Sequence, residues 1–139
     1  MDLEYAIPEN LYYDTHDFWI KVNGEEAVIG LSDYGQSNTG DILYLELLQA
    51  GETVGRGDKL GSVESGKWVG SLLAPLSGTI LESNKDVLVH PRKVNTDAYG
   101  DGWMCRIKLR DSVEVKGLLT AQAYRKWIIE QETKEEEIG

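Results

Sequence analysis

The sequence predicts a mostly β fold, in which two antiparallel sheets form a flattened sandwich with short N-terminal helical turns and a C-terminal helix. Three observations support this prediction. Fifteen glycines separate short runs of alternating apolar and polar residues, a pattern typical of short strands joined by tight turns. Only the last element shows clear helical spacing. The 139 residues, 41% of them hydrophobic, suit one domain with a packed core.

The first predicted element is a hairpin whose strands cover residues 18–22 and 27–31. Asn23-Gly24 lies between them, and this pair tolerates the positive φ angles of a type I′ turn. A short helical turn over residues 32–36 is expected next, because Asp33 and Gln36 stand at capping-box spacing. A strand over Ile42–Leu47 follows.

A second hairpin is predicted from strands over 59–63 and Val69–Leu73. The residues between them include Gly66-Lys67, and a Gly-X pair suits a type II′ turn with positive φ at the glycine. Gly57 lies ten residues before Lys67 and Gly78 lies eleven after it. The pattern therefore predicts one lysine at a hairpin tip, projecting into water.

The end of the chain is predicted to contain a loop over 97–102, a strand over 103–109 and a helix capped by Thr120. Four residues recur at the spacing of one buried helix face: Ala121, Tyr124, Trp127 and Ile128. We expect a single domain over 1–139, with its core over about 11–130 and a fraying acidic tail over 131–139.

Charge and composition exclude several functions. The net charge is −10, from 14 basic against 24 acidic residues, so we expect neither a nucleic-acid nor a membrane partner. The acidic start over 1–4 and the lack of a long apolar stretch indicate a cytoplasmic protein.

Few residues are suited to catalysis or metal binding. The only histidines are His16 and His90, which provide no metal cluster and little acid–base chemistry. The single cysteine, Cys105, lies in an apolar strand and is predicted to be a buried, inert thiol. We therefore expect no catalytic residues, no metal and no enzymatic turnover.

Lys67 stands out, although a lysine in a turn is ordinarily a solvated surface residue. VESGK at 63–67 and APLSG at 74–78 resemble the acceptor hairpin of lipoyl and biotinyl domains. A biotin site typically has methionines beside the lysine, and Gly66 and Trp68 do not fit that pattern. Three further segments resemble the H-protein family of the glycine cleavage system: IGLSDY at 29–34, GDILYLEL at 40–47 and VNTDAYGDGW at 94–103.

The resemblance implies a lipoyl carrier domain with lipoate in amide linkage on Lys67, surrounded by Glu64, Ser65, Gly66 and Trp68. Glu64 resembles the glutamate that lipoate-attaching enzymes recognise. Those enzymes and dihydrolipoamide dehydrogenase are therefore the implied partners. Trp68 is expected either to offer an exposed docking surface or to pack back over its own hairpin.

Two departures from the family pattern bear on the pathway. Gly66 stands where common H proteins have valine, and the string ESGKWVG at 64–70 is similar to lipoate-binding proteins of bacterial sulfur oxidation. The family's His-Glu-Trp motif, whose glutamate helps to hold the aminomethyl amine, is replaced by His16-Asp17-Phe18-Trp19. The shorter acid and the extra residue predict a poor contact with that amine.

The sequence thus favours a shuttle for a sulfur-bound intermediate that works with a heterodisulfide-reductase-like complex. The alternative is an H protein that carries the aminomethyl group from glycine decarboxylase to aminomethyltransferase. A third hypothesis is a binding module that has kept the fold but carries no lipoate.

Overall fold

The computed structural model describes residues 4–138 as two antiparallel sheets with four α-helices and one 3₁₀ helix. The elements are β1 Tyr12–Tyr13, β2 Phe18–Asn23, β3 Glu26–Leu31, α1 Asp33–Thr39, β4 Ile42–Leu47, β5 Thr53–Val54, β6 Lys59–Ser65, β7 Val69–Leu73, β8 Gly78–Ser83, α2 Lys85–Val89, α3 Arg92–Thr96, β9 Cys105–Leu109, the 3₁₀ helix Ser112–Gly117 and α4 Ala121–Ile138. The larger sheet has the order β1-β2-β3-β9-β8-β5 and the smaller one the order β4-β6-β7. The predicted mostly β class is confirmed. Residues 1–3 of the acidic start and the last tail residue, 139, lie outside the described residues.

The first hairpin has the predicted strands but a different turn. Asn23 pairs with Glu26, so the two-residue loop is Gly24-Glu25, and only Gly24 has a positive φ, of 63°. A type I′ turn needs positive φ at both central residues, whereas type II′ needs it only at the first. The predicted type I′ turn at Asn23-Gly24 is therefore wrong, because Asn23 belongs to the strand.

The predicted capping box makes Asp33 the N-cap of helix α1, which would then begin at residue 34. The helix begins instead at Asp33. Ser32 is the N-cap, and its Oγ accepts a hydrogen bond from Gly35 N at 3.0 Å. Asp33 instead accepts a hydrogen bond from the Gln36 side chain at 2.9 Å, so the capping-box prediction is wrong. The helix ends before Gly40, whose φ of 83° few other residues adopt without strain.

The apolar residues form two clusters. The larger cluster lies in the interior of the sandwich and includes Ile29, Leu60 and Ile107, each fully buried. In the second cluster, α4 packs beside β1, where the rings of Tyr13 and Tyr124 stack with 4.6 Å between their centroids. Burial of a large apolar side chain stabilises a fold by about 1.5–3 kcal/mol, so this second cluster fixes α4 firmly.

Helix α4 has the predicted buried face. Ala121, Tyr124 and Ile128 are buried, Trp127 is half-buried, and Thr120 Oγ1 accepts a hydrogen bond from Ala123 N at 3.2 Å. The helix continues to Ile138, through the acidic segment that was predicted to fray. This segment is rich in Glu, Gln and Lys, which favour helix, and it holds no glycine or proline before 139. None of the described helices is long and apolar enough to cross a membrane.

Candidate functional site

The tip of the hairpin β6–β7 consists of Gly66 and Lys67, as predicted. Ser65 N donates a hydrogen bond to Trp68 O at 2.8 Å, so these two residues face each other across the tip. The buried Ser65 Oγ donates to Thr39 O at 2.6 Å and accepts from Trp68 N at 3.0 Å. Ser65 therefore ties the tip to the end of helix α1.

Gly66 does not have the positive φ that was predicted. The glycines with positive φ in the described chain are Gly24, Gly40, Gly51 and Gly57. The type II′ prediction for the tip is therefore wrong. The Ser65 side chain accepts the Trp68 N–H and so replaces the backbone hydrogen bond that such a turn would form.

Gly66→Val should therefore leave stability within about 0.5 kcal/mol of the wild type, as expected for an unstrained surface change. A Cβ at Gly66 meets nothing within 4 Å. Gly57 is a matched control, because its Cβ position is equally open but its φ is 87°. Gly57→Val should lose about 1–3 kcal/mol through backbone strain alone. Urea unfolding of both variants measures the difference, and equal losses would contradict the observed tip conformation.

The Lys67 side chain is exposed but lies along helix α1 instead of projecting freely into water. A Cβ on Gly40 would approach Lys67 Cε to 2.8 Å, so the lysine stem runs directly over this glycine. Lys67 Nζ lies 3.4 Å from Ser37 O, a carbonyl in the last turn of α1. A cation is favourable at a helix C-terminus, but this hydrogen bond is long and leaves the amine easy to displace.

Trp68 combines the two arrangements considered for it. Its ring covers Gly70, where an added Cβ would lie 2.4 Å from Trp68 Cζ2, and the residue remains 44% exposed. Glu64 lies between Tyr44 and Val69 in the strand register of the small sheet, and all three are exposed. Lys67, Trp68 and Glu64 are therefore all accessible at one end of the hairpin.

A cleft of about 370 Å³ separates the hairpin from α1 and the loop before β2. Five of its lining residues are large and apolar: Phe18, Leu31, Trp68, Leu72 and Leu73. The others are Thr15, His16, Asp17, Gly35, Asn38, Thr39 and Ser71. The cleft thus brings together Trp68 and Asp17, two residues that the sequence suggested on separate grounds.

Asp17 is held in the cleft by an unusual backbone. Its φ is 71°, a left-handed value that Asp tolerates better than most residues. Asp14 Oδ1 fixes the turn by accepting hydrogen bonds from His16 N at 3.1 Å and Phe18 N at 2.9 Å. Gly35 lets the loop approach α1, because a Cβ there would lie 2.7 Å from Asp17 Cβ.

The Asp17 carboxylate is half-buried and has one strong hydrogen bond. Tyr124 OH lies 2.7 Å from Asp17 Oδ1. Burial raises the pKa of Asp17 to about 6, the neighbouring Asp14 adds to the rise, and the Tyr124 hydrogen bond and His16 oppose it. Asp17 is therefore mostly ionised at pH 7, although it protonates far more readily than an exposed aspartate.

The remaining sequence candidates lie away from the cleft. Cys105 is buried in β9, so the predicted burial of its thiol is confirmed, and burial raises the pKa of this thiol to about 12. His90 follows the last turn of α2. Among the side chains that the structure describes, those of residues 4–136, no group of three or more from His, Cys, Asp or Glu is placed to hold a metal ion.

The model of the glycine cleavage H-protein family matches residues 11–131 of this chain. The glycine cleavage system H protein of Carboxydothermus hydrogenoformans is 39% identical over 126 residues, which are 91% of this chain and 97% of that protein. The H protein of Magnetococcus marinus is also 39% identical, over 88% of each chain. A crystal structure of an H protein from Mycobacterium marinum has a TM-score of 0.78 at 32% identity and covers 87% of this chain and 98% of its own.

Proposed function

Because the chain belongs to the glycine cleavage H-protein family, we propose that it is the lipoyl carrier of a glycine cleavage system, with lipoate in amide linkage on Lys67. It carries an aminomethyl group from glycine decarboxylase to aminomethyltransferase and has no turnover of its own. Proteins of this family carry lipoate covalently on a lysine. Lys67 is the proposed attachment site in this chain.

The observation that carries the proposal is an exposed lysine at a hairpin tip, beside a cleft that is lined in part by large apolar side chains. The Lys67 amine is weakly held and therefore accessible to an acylating enzyme. Amide formation removes its charge, so the extended side chain can lie along apolar residues without burying an ammonium. The lipoyl group, when bound, supplies a disulfide that takes up and releases the transferred group, while the protein positions and shields it.

Asp17 is the proposed partner of the aminomethyl amine. Its side chain is shorter than the family glutamate, but the turn fixed by Asp14 and the close approach to Gly35 place it in the cleft. The carboxylate is mostly ionised at neutral pH, and it can accept a charge-assisted hydrogen bond from a protonated primary amine. The poor contact predicted from the sequence is therefore not part of the proposal.

The comparisons do not support the sulfur-oxidation role that the acceptor loop favoured; they favour the glycine-cleavage alternative. The loop differences also carry less weight in three dimensions. Gly66 has an ordinary φ and open space around its Cβ position, so the family valine would fit there equally well. A heterodisulfide-reductase-like partner is accordingly not proposed.

The proposed partners are the glycine cleavage enzymes, dihydrolipoamide dehydrogenase and the lipoate-attaching enzymes. The last of these would approach the exposed Glu64 beside the tip. Glu64 lies between Tyr44 and Val69, which are 53% and 72% exposed. These three residues offer an approaching enzyme both a charge and apolar area.

Reconstitution tests the proposed function. We expect the lipoylated chain, mixed with glycine decarboxylase, aminomethyltransferase and dihydrolipoamide dehydrogenase, to support glycine cleavage within a few-fold of an authentic H protein. Measurement of the intact mass first establishes that lipoate is attached. This result also excludes the hypothesis of a binding module that has kept the fold but carries no lipoate. Reduction by dihydrolipoamide dehydrogenase then establishes that the arm is accessible. A lipoylated, reducible chain that supports no glycine cleavage would refute the proposal.

A further inference from the structure

We propose that Tyr124 is a positioning residue for Asp17, and that its hydroxyl holds one carboxylate oxygen so that the other is presented to the cleft. Tyr124 lies on α4, and Asp17 lies in the loop before β2, 107 residues away in sequence. The part of the inference that concerns a bound amine rests on the proposed function. The contact itself does not.

The hydroxyl of Tyr124 belongs to a directed chain of hydrogen bonds. Ser32 Oγ accepts from Gly35 N at 3.0 Å and lies 2.7 Å from Tyr124 OH. An ionised carboxylate can only accept hydrogen bonds, so the Tyr124 hydroxyl must be the donor of its 2.7 Å hydrogen bond to Asp17 Oδ1. Ser32 then donates to Tyr124. The cap of helix α1 is thereby connected to the carboxylate in the cleft.

Packing fixes the position of this hydroxyl. Tyr124 and Ser32 are both fully buried. The Tyr124 ring stacks on Tyr13 with an interplanar angle of 5°, and on Trp127 with 5.8 Å between centroids. A ring held in this way has little freedom to rotate, so the hydroxyl determines where Asp17 Oδ1 lies.

The second oxygen of Asp17 is left for the cleft. Among residues 4–136, no side chain or backbone group hydrogen-bonds to Asp17 Oδ2, and the residue lines the cleft. The charged and titratable groups that face Asp17 are Asp14, His16, Tyr124 and Tyr34. Of these, only Tyr124 donates a side-chain hydrogen bond to the Asp17 carboxylate. A primary ammonium in the cleft would meet an oriented oxygen that makes no hydrogen bond to the described part of the chain.

Tyr124→Phe tests the proposal because it removes the hydroxyl and keeps the ring. We expect the titration midpoint of the Asp17 carboxyl, followed by NMR in the unlipoylated full chain, to rise by about one pH unit. Tyr13→Phe is the matched control, since it removes the hydroxyl of the stacked ring, which donates to Pro8 O at 2.7 Å. This control should leave the Asp17 midpoint in place. An unchanged midpoint in Tyr124→Phe, or an equal shift in both variants, would overturn the proposal.

A second measurement concerns the loaded carrier. The lipoylated Tyr124→Phe chain, loaded with glycine and glycine decarboxylase, should lose its aminomethyl group several-fold faster than the wild type. In an Asp17→Asn background the same substitution should have no further effect, because the two residues act through one contact. A purely structural role would give the same loss in both backgrounds and would overturn the inference. If the wild type cannot be loaded at all, the proposed function fails, and the Asp17 titration still decides the role of Tyr124.

Discussion

Lys67→Arg should yield a chain that carries no lipoate, even when lipoate-attaching enzymes are in excess. Arginine keeps the positive charge at the hairpin tip, but its guanidinium is protonated at all accessible pH values and cannot be acylated in place of an amine. The lysine side chain is exposed, and its amine makes one long hydrogen bond within the described structure, to Ser37 O, so the substitution should not disturb the fold. Intact mass spectrometry after lipoylation gives an all-or-none result.

Lys59→Arg is the matched control for this prediction. Lys59 begins β6, on the same hairpin, and is also exposed, but it lies at the end away from the tip. This variant should be lipoylated as fully as the wild type. Lipoate found on the Lys67→Arg chain would show that another lysine is the acceptor.

Asp17→Asn should stabilise the protein at pH 7 and impair its function. The folded-state pKa of Asp17 is about 6, against an ordinary value of 3.8. Between these values the folded chain binds more protons than the unfolded chain, so the free energy of unfolding falls as pH rises from about 4 to about 6. Above pH 6 the buried charge of Asp17 therefore lowers the free energy of unfolding by about 1–3 kcal/mol. Asparagine is uncharged and removes this loss of stability, and it tolerates the φ of 71°.

Urea unfolding between pH 4 and pH 7 measures the stability effect. We expect the difference between Asp17→Asn and the wild type to grow with pH up to about 6 and then to stay constant. Loss of a charge-assisted hydrogen bond to the amine, worth about 1.5–3 kcal/mol, should shorten the lifetime of the loaded carrier by about 10- to 100-fold. Glu130→Gln removes the same charge from an exposed position on α4 and should change neither property. A pH-independent difference would contradict the raised pKa.

Much of the fold could be predicted because its strands and last helix have clear periodicity. The predicted bounds of β4 and β7 agree with the structure, as does the buried face of α4. The strands β1 and β5 have only two residues each, too few for any alternation to show. Helix α2 has only five residues, which are likewise too few for a helical period to be recognised.

The turns were less predictable because they depend on register and on side chains. Asn23-Gly24 has the composition of a type I′ turn, but strand pairing places Asn23 opposite Glu26. Gly66-Lys67 has the composition of a type II′ turn, but the Ser65 hydroxyl provides a different closure. In both hairpins, the identity of two adjacent residues is not enough to predict the turn type.

The candidate site was only partly visible in the sequence. Lys67 and Trp68 emerged from local spacing and resemblance, whereas Tyr124 was identified only as part of a buried helix face. Its contact with Asp17 joins residues 107 positions apart, and no local pattern reports such a contact. Gly35 did carry a usable signal, because a glycine inside a helix indicates a close approach by another group. That group is Asp17.

Whether Lys67 carries an aminomethyl group is decided by the mass of the lipoylated chain after incubation with glycine and glycine decarboxylase alone. We expect the chain to gain one aminomethyl group, which maps to the modified Lys67, and we expect Lys67→Arg to gain none. A chain whose lipoyl arm is present and reducible but gains no aminomethyl group would contradict the assignment to glycine cleavage.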